Sequence, residues 1–140
     1  MNSFVKKITT IKLKGFTLTE LLVVLVIIGI LVLLALPSLM PLISKAKSTE
    51  AQLQLEHVFT LEKAYFYEHS KYTTSLNDIG FEQQKLATDG GNANYKIEIT
   101  QAEGSSFKAK ATAVVDFNGN GTFNVWEVDQ DKNIKETIKD

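Results

Sequence analysis

The sequence contains no cysteine, no arginine and only two prolines in 140 residues. Without cysteine there is no disulfide framework, no thiolate nucleophile and no Cys-ligated zinc or iron–sulfur site. Without arginine the chain lacks the planar guanidinium fork that recognises phosphates and base edges in bidentate fashion. A formal net charge of -1 adds no overall basic field, so specific nucleic-acid binding is not expected. Signatures of catalysis are missing as well. There is no G-x-x-x-x-G-K-[ST] loop and no nucleophile elbow, and the two histidines, His57 and His69, have no cysteine or clustered acid beside them. They read as surface residues, and the chain is expected not to be an enzyme.

The near-neutral charge conceals opposite segments. Residues 1–15 hold Lys6, Lys7, Lys12 and Lys14 and no acid, and without them the remainder carries -5. Leu21–Ile43, LLVVLVIIGILVLLALPSLMPLI, has no charged residue. At about 1.5 Å per residue, some 20 helical residues cross a hydrocarbon core of about 30 Å. A chain of this length has too little protein left to cover such a helix in water, so the run is predicted to span a membrane. The lysines before the span outnumber Lys45 and Lys47 after it, which favours a cytoplasmic N-terminus with the bulk of the chain outside. A secretory signal peptide is the competing reading. The residues LLALPSL suit its small-residue cleavage pattern poorly, and the apolar run is longer than such a peptide needs.

Helical periodicity resumes after Pro41. Ala51, Leu55, Val58, Leu61 and Tyr65 recur at three- and four-residue steps, with Phe59 and Phe66 widening the stripe. One long helix from about Phe16 to His69 is predicted, reaching roughly 80 Å at the usual rise, with Pro37 and Pro41 kinking or loosening it. Ser75 and Asp78 suggest a capped turn near Leu76–Ile79, and Gly90-Gly91-Asn92 marks another turn. Alternation then predicts strands around Tyr95–Ile99, Phe107–Phe117 and Phe123–Val128, with a short edge strand at Ile134–Ile138. The architecture is α+β: a small antiparallel sheet, about residues 94–128, laid on the apolar stripe of an amphipathic helix over 44–70. Trp126 and Tyr65–Tyr67 fall at core or subunit-contact positions. The organisation is a basic segment 1–15, a span 16–43 and a head 44–140.

The junction Lys12-Leu13-Lys14-Gly15-Phe16-Thr17-Leu18-Thr19-Glu20-Leu21-Leu22 carries a carboxylate at the edge of an uncharged span. Burying an unpaired carboxylate is expensive, so such an acid has a partner or lies among headgroups. Lys14-Gly15-Phe16-Thr17-Leu18-Thr19-Glu20, followed by the apolar run, resembles the class III signal of type IV pilins and type II secretion pseudopilins. The resemblance implies cleavage between Gly15 and Phe16 by a membrane prepilin peptidase. The same enzyme would then methylate the new amine, making N-methylphenylalanine of Phe16. Glu20 falls at the family's acidic position, and Gly29 and Pro37 fall where many members have glycine and proline. The implied fold is pilin-like, with a helix of membrane and amphipathic halves on a small sheet. Physical reasons agree. A lysine-rich leader is held at an anionic inner face, and glycine leaves room for an extended backbone in a protease cleft. The Phe16 amine can pair with Glu20 of its own or an adjacent subunit and so set register in a filament core.

Asp116-Phe117-Asn118-Gly119-Asn120-Gly121-Thr122-Phe123-Asn124-Val125-Trp126-Glu127 fits the loop pattern D-x-[DN]-x-[DN]-G-x5-E. Asp116, Asn118, Asn120, Thr122 and Glu127 are candidate oxygen ligands for a hard cation such as Ca²⁺, with Asp129 and Asp131 as additional oxygens. Alternating flanks point to a loop at a sheet edge rather than to an EF-hand, and asparagine in place of aspartate points to weak binding. A plain loop in which the two Asn-Gly pairs supply positive-φ residues is the other reading. Members of the superfamily that bind Ca²⁺ near the C-terminus add to the first.

Three functions follow. The leading one is a structural subunit of a type IV pilus. Such a subunit starts as a single-pass inner-membrane precursor surrounded by lipid. It is processed by the prepilin peptidase and methyltransferase and polymerised with itself into an extracellular helical filament. An inner-membrane platform with a cytoplasmic ATPase drives the assembly. The alternative is a major pseudopilin of a type II secretion system, forming a periplasmic pseudopilus; the missing disulfide loop favours it. A third is a membrane-anchored calcium-binding protein that never polymerises.

Overall fold

The computed structural model of the chain describes residues 15–140. The proposed leader therefore lies outside the described residues except for Gly15. One helix, α1, runs Leu18–His69 and continues through Pro37 and Pro41. It is followed by a single 3-10 turn at Ala87–Asp89 and four strands: β1 (Tyr95–Glu103), β2 (Ser106–Ala113), β3 (Val125–Asp129) and β4 (Lys135–Ile138). The strands form one antiparallel meander in the order β1-β2-β3-β4. The chain divides into two compact units, one ending at Leu36 and the other spanning Pro37–Asp140.

In the first unit the helix is long and apolar enough to cross a membrane. Its side chains from Leu21 to Leu34 lie open, with Leu21 54% and Leu34 69% exposed. In the second unit the same helix has an inner face, on which Ser44, Ser48, Ala51, Leu55, Val58 and Glu62 are buried at three- and four-residue steps. β2 presents Phe107, Ala109, Ala111 and Ala113 inward, all buried, while the residues between them face outward. Its three inward alanines share one buried cluster with Leu55 and Val58 of the helix, and Tyr95, Ile97 and Val128 belong to the same core. Tyr72 and Phe107 pack at 4.9 Å between ring centroids, and Phe66 stacks on Tyr72 at 4.7 Å.

The predicted strands differ from the observed ones at the acidic loop. β2 ends at Ala113, whose N–H goes to Asn124 O, and the Val114 N–H goes to Asn94 O at 2.8 Å. The backbone then leaves the sheet, and Phe117 packs over the Tyr95 ring from the loop. Phe123 precedes β3 and is exposed. The predicted edge strand is present as β4, exposed along its whole length. Ser75 does accept the Asp78 N–H at 3.3 Å, but the return bond of a capping box is replaced by Thr73 Oγ1, which donates to Asp78 and accepts the Ser75 N–H. Gly91 has to be glycine, because a Cβ there would lie 2.0 Å from the carbonyl oxygen of Lys85.

Glu62 is the anomaly of the core. It is fully buried; one carboxyl oxygen accepts the Thr73 N–H at 3.3 Å and the other has no partner. Desolvation outweighs that single bond and raises its pKa from 4.5 to about 7. Between those values the folded chain holds a proton that the unfolded chain has lost. The contribution to stability is therefore complete below about pH 4.5 and is lost as pH rises through about 7. Unfolding the full chain in detergent, followed by fluorescence of its single tryptophan, should show a loss of roughly 1–3 kcal/mol from about pH 5 to about pH 8. Glu62→Gln should flatten that slope; an unchanged slope would refute the assignment.

Candidate functional site: the N-terminal junction and the acidic loop

The helix start is built by Thr17 and Glu20. The Thr17 backbone N–H donates to Glu20 Oε2 at 2.7 Å and its hydroxyl donates to the same oxygen at 3.0 Å. In return the Glu20 N–H donates to Thr17 Oγ1 at 3.2 Å. This is a reciprocal capping box, T-x-x-E, which closes donors that a helix start leaves open. The T-x-x-E spacing is present in the sequence, where Glu20 reads as a headgroup acid or as a partner for an amine and not as part of a cap. Both bonds to its carboxylate use Oε2, and Oε1 takes none among the described residues. Gly15 and Phe16 precede the helix and are exposed, Phe16 at 85%. The expected cleavage position, Gly15–Phe16, thus falls on non-helical backbone immediately before the cap.

The acidic loop is held by its own side chains. Asp116 Oδ1 accepts the N–H groups of Asn118 at 3.2 Å and Gly119 at 2.6 Å, and Oδ2 accepts that of Gly121 at 2.7 Å. The Asn118 side-chain oxygen accepts the Asn120 N–H at 2.9 Å, and that of Asn120 accepts the Thr122 N–H at 2.6 Å. Gly119 and Gly121 have φ of 77° and 84°, a left-handed backbone suited to glycine. The Gly121 N–H, followed by those of Gly119 and Asn118, lowers the Asp116 pKa and keeps it ionised.

Asp116, Asn118, Asn120 and Thr122 are thus brought into one loop. Glu127 lies in β3, where the register sets it opposite Lys110 of β2 and Lys135 of β4. Asp129 ends β3 and Asp131 lies in the turn that follows, where Asp129 accepts the N–H groups of Asp131 and Asn133, each at 3.0 Å. No three acidic or histidine side chains gather as a metal-holding group among the described residues. The donor set of the loop nevertheless suits a hard cation in its first half, because a carboxylate oxygen and two amide oxygens each keep a lone pair after their N–H bonds.

Asn124 was missed as anything but a strand alternator. It is fully buried, accepts the Tyr95 hydroxyl at 2.7 Å, and donates to Glu136 at 2.6 Å and to Ile138 O at 3.1 Å. This hub ties the end of the loop to β1 and β4. Asp140 adds a second tether by accepting the Phe117 N–H at 2.8 Å. Only its place after two Asn-Gly pairs and before a strand could have hinted at the role. His57 and His69 are exposed; His57 lies against Phe81 and His69 stacks on Tyr65. Trp126 is half-buried, with an indole nitrogen lacking a partner.

A family model described as the prokaryotic N-terminal methylation motif matches residues 12–36, which contain Gly15, Phe16 and the Thr17–Glu20 cap. The chain is 34% identical over 90 residues to the type IV major pilin protein PilA of Myxococcus xanthus, a match covering 64% of this chain and 39% of that protein. It is 34% identical over 94 residues to the type IV major alpha-pilin of Moraxella bovis, covering 62% and 59%. The chain thus carries an N-terminal methylation motif and is similar to type IV pilins over the part that these matches cover. A fimbrial protein of Pseudomonas aeruginosa is 29% identical over 105 residues, covering 71% of this chain and 67% of the relative. The match thus spans less than two thirds of the first two relatives' own length.

The cap of this pilin-like helix is testable. Thr17→Ala removes both side-chain bonds and should weaken the helix start by about 0.5–2 kcal/mol. In detergent micelles this should appear as faster hydrogen exchange at the Leu18–Leu21 amides, with Leu55 and Val58 unaffected. Unchanged exchange in the first turn would sink the role given to the cap.

Proposed function

We propose that the chain is a structural subunit of a type IV pilus. The observation that carries this reading is one helix whose first part exposes an unbroken apolar surface directly after a prepilin-type junction. As a precursor it would sit in the inner membrane with a cytoplasmic N-terminus. A prepilin peptidase would cut between Gly15 and Phe16 and methylate Phe16, and an assembly platform with its ATPase would drive polymerisation. Exchange of lipid for neighbouring helices keeps the apolar surface out of water throughout. Glu20 supports the reading with its two oxygens. Oε2 closes the helix, while Oε1 is left for an ammonium on its own or a neighbouring Phe16. N-terminal mass analysis of the membrane fraction should find a chain beginning at Phe16 with one added methyl. A chain still beginning at Met1 would instead favour a membrane-anchored protein that does not polymerise.

The cysteine-free head keeps a type II secretion pseudopilin as the second reading. Electron microscopy of sheared surface fibres separates the two, because absence of the chain from extracellular filaments counts against the pilus. Ca²⁺ on Asp116, Asn118, Asn120 and Thr122 belongs to the same proposal; bound there, the ion would neutralise the loop and stiffen it. Glu127 would complete the set only by leaving its place between Lys110 and Lys135. Calcium should then raise the melting temperature of the full chain in detergent, and Asp116→Ala should abolish the increase. An equal increase in the variant would rule the loop out as the site.

A further inference from the structure

The chain has two Asn-Gly pairs, Asn118-Gly119 and Asn120-Gly121, and both lie in the exposed acidic loop. Such pairs are chemically labile. Glycine has no Cβ to shield its backbone nitrogen, so that nitrogen can attack the side-chain carbonyl carbon of the preceding asparagine. The N–H proton is lost, a C–N bond closes a five-membered imide, and ammonia leaves with the side-chain nitrogen. Water then opens the imide at either carbonyl, giving aspartate or isoaspartate. No electron is gained or lost, and solvent water is the only other reactant.

All four reacting groups are tied up in this structure. The two attacking nitrogens, of Gly119 and Gly121, donate their hydrogens to the two oxygens of one carboxylate, Asp116, at 2.6 and 2.7 Å. The two carbonyls under attack accept N–H groups two residues further on, those of Asn120 and Thr122. They are therefore held by partners other than the glycine nitrogens that would attack them. A negative charge against each glycine N–H opposes loss of its proton, and that bond to Asp116 must break before the ring at the preceding asparagine can close.

We propose that Asn118 and Asn120 form a paired deamidation site that Asp116 holds shut. When the lock is released, each conversion adds one negative charge to the loop, and each isoaspartate inserts a methylene into its backbone. The translated loop has one carboxylate at these alternate positions, and the converted loop has three. Asp116 thereby guards the charge and the length of the segment between β2 and β3, and the sequence becomes a chemical record of how often that segment has opened.

The test follows peptides of the full chain in detergent by mass spectrometry during incubation in mildly alkaline buffer. Native wild-type chain is compared with wild-type chain unfolded in urea and with Asp116→Ala. Fluorescence of Trp126 reports whether the variant is folded. Conversion at Asn118 and Asn120 should be about tenfold or more faster in the unfolded chain and in the folded variant than in the native chain, the loss of a charge-assisted hydrogen bond corresponding to at least that factor in rate. Asn133, which is followed by isoleucine, should stay slow in all three. Equal rates in native and unfolded wild type would overturn the proposal, as would a folded variant no faster than wild type. If the variant unfolds, the wild-type pair alone decides.

Discussion

Water is a poor solvent for the surface of α1 between Leu21 and Ile43, and everything else about the chain follows from that. Each exposed leucine, valine or isoleucine there is worth roughly 1.5–3 kcal/mol on transfer to an apolar environment. A dozen and more such side chains make solvent exposure untenable, and the described residues provide no cover for them. Lipid or other helices must supply it. The helix must also form its own backbone bonds throughout, because hydrocarbon offers none. That accounts for the care at its start, where Thr17 and Glu20 satisfy each other, and for the continuity through Pro37 and Pro41. Each proline removes only one donor, and the assigned helix tolerates both.

Past Ile43 the same helix changes solvent. Here burial is selective: Ala51, Leu55 and Val58 go inward while Leu53 stays open. The sheet meets this stripe with small side chains: Ala109, Ala111 and Ala113 lie in one buried cluster with Ala51, Leu55 and Val58. Two further ties fix the helix to the loops that precede β1. Glu50 grips Asn94 through its backbone and side-chain nitrogens at 2.8 and 2.6 Å, and the Lys63 ammonium reaches the Tyr72 hydroxyl at 3.0 Å while lying over the Phe59 and Tyr72 rings. Asn94 O in turn takes the Val114 N–H, so one carboxylate on the helix holds the residue that carries the β1–β2 pairing one step past Ala113.

Most of this architecture is legible in the sequence because it depends on periodicity. The helix bounds, the order of the strands and even the short fourth strand follow from patterns of two and of three to four residues. The N-terminal junction is legible because its residues are contiguous. What is not legible depends on contacts between distant residues. Asn124 looks like any polar alternator until Tyr95, Glu136 and Ile138 arrive around it, 29, 12 and 14 residues away. The early end of β2 is also hidden: the Ala113 and Val114 N–H groups carry the two ladders one step further, to Asn124 O and Asn94 O, and the backbone then leaves the sheet although the alternation continues to Phe117. Glu62 has a helical spacing that should have marked it as inward, yet the charge of its type argued for the surface, and burial won because one oxygen found Thr73 and the proton can stay.

Three acids show that donors, more than exposure alone, decide what a carboxyl group becomes. Asp116 is exposed and collects three backbone N–H groups, so it is ionised and organises a loop around itself. Glu62 is buried with one weak donor, so its neutral form gains and the core accepts it as a nearly apolar residue with a pH limit. Glu20 stands between them: one oxygen is fully used by its own helix, and the other is unclaimed among the described residues. In water that unclaimed oxygen would be hydrated at little cost. Against hydrocarbon it would not be, and the demand for a donor becomes a directional force. The cap closes the Thr17 and Glu20 N–H groups, and no hydrogen bond among the described residues brings a donor to Oε1. A donor brought to Oε1 in a packed assembly would satisfy that demand, so the acid at the helix start bears on what can be packed against it.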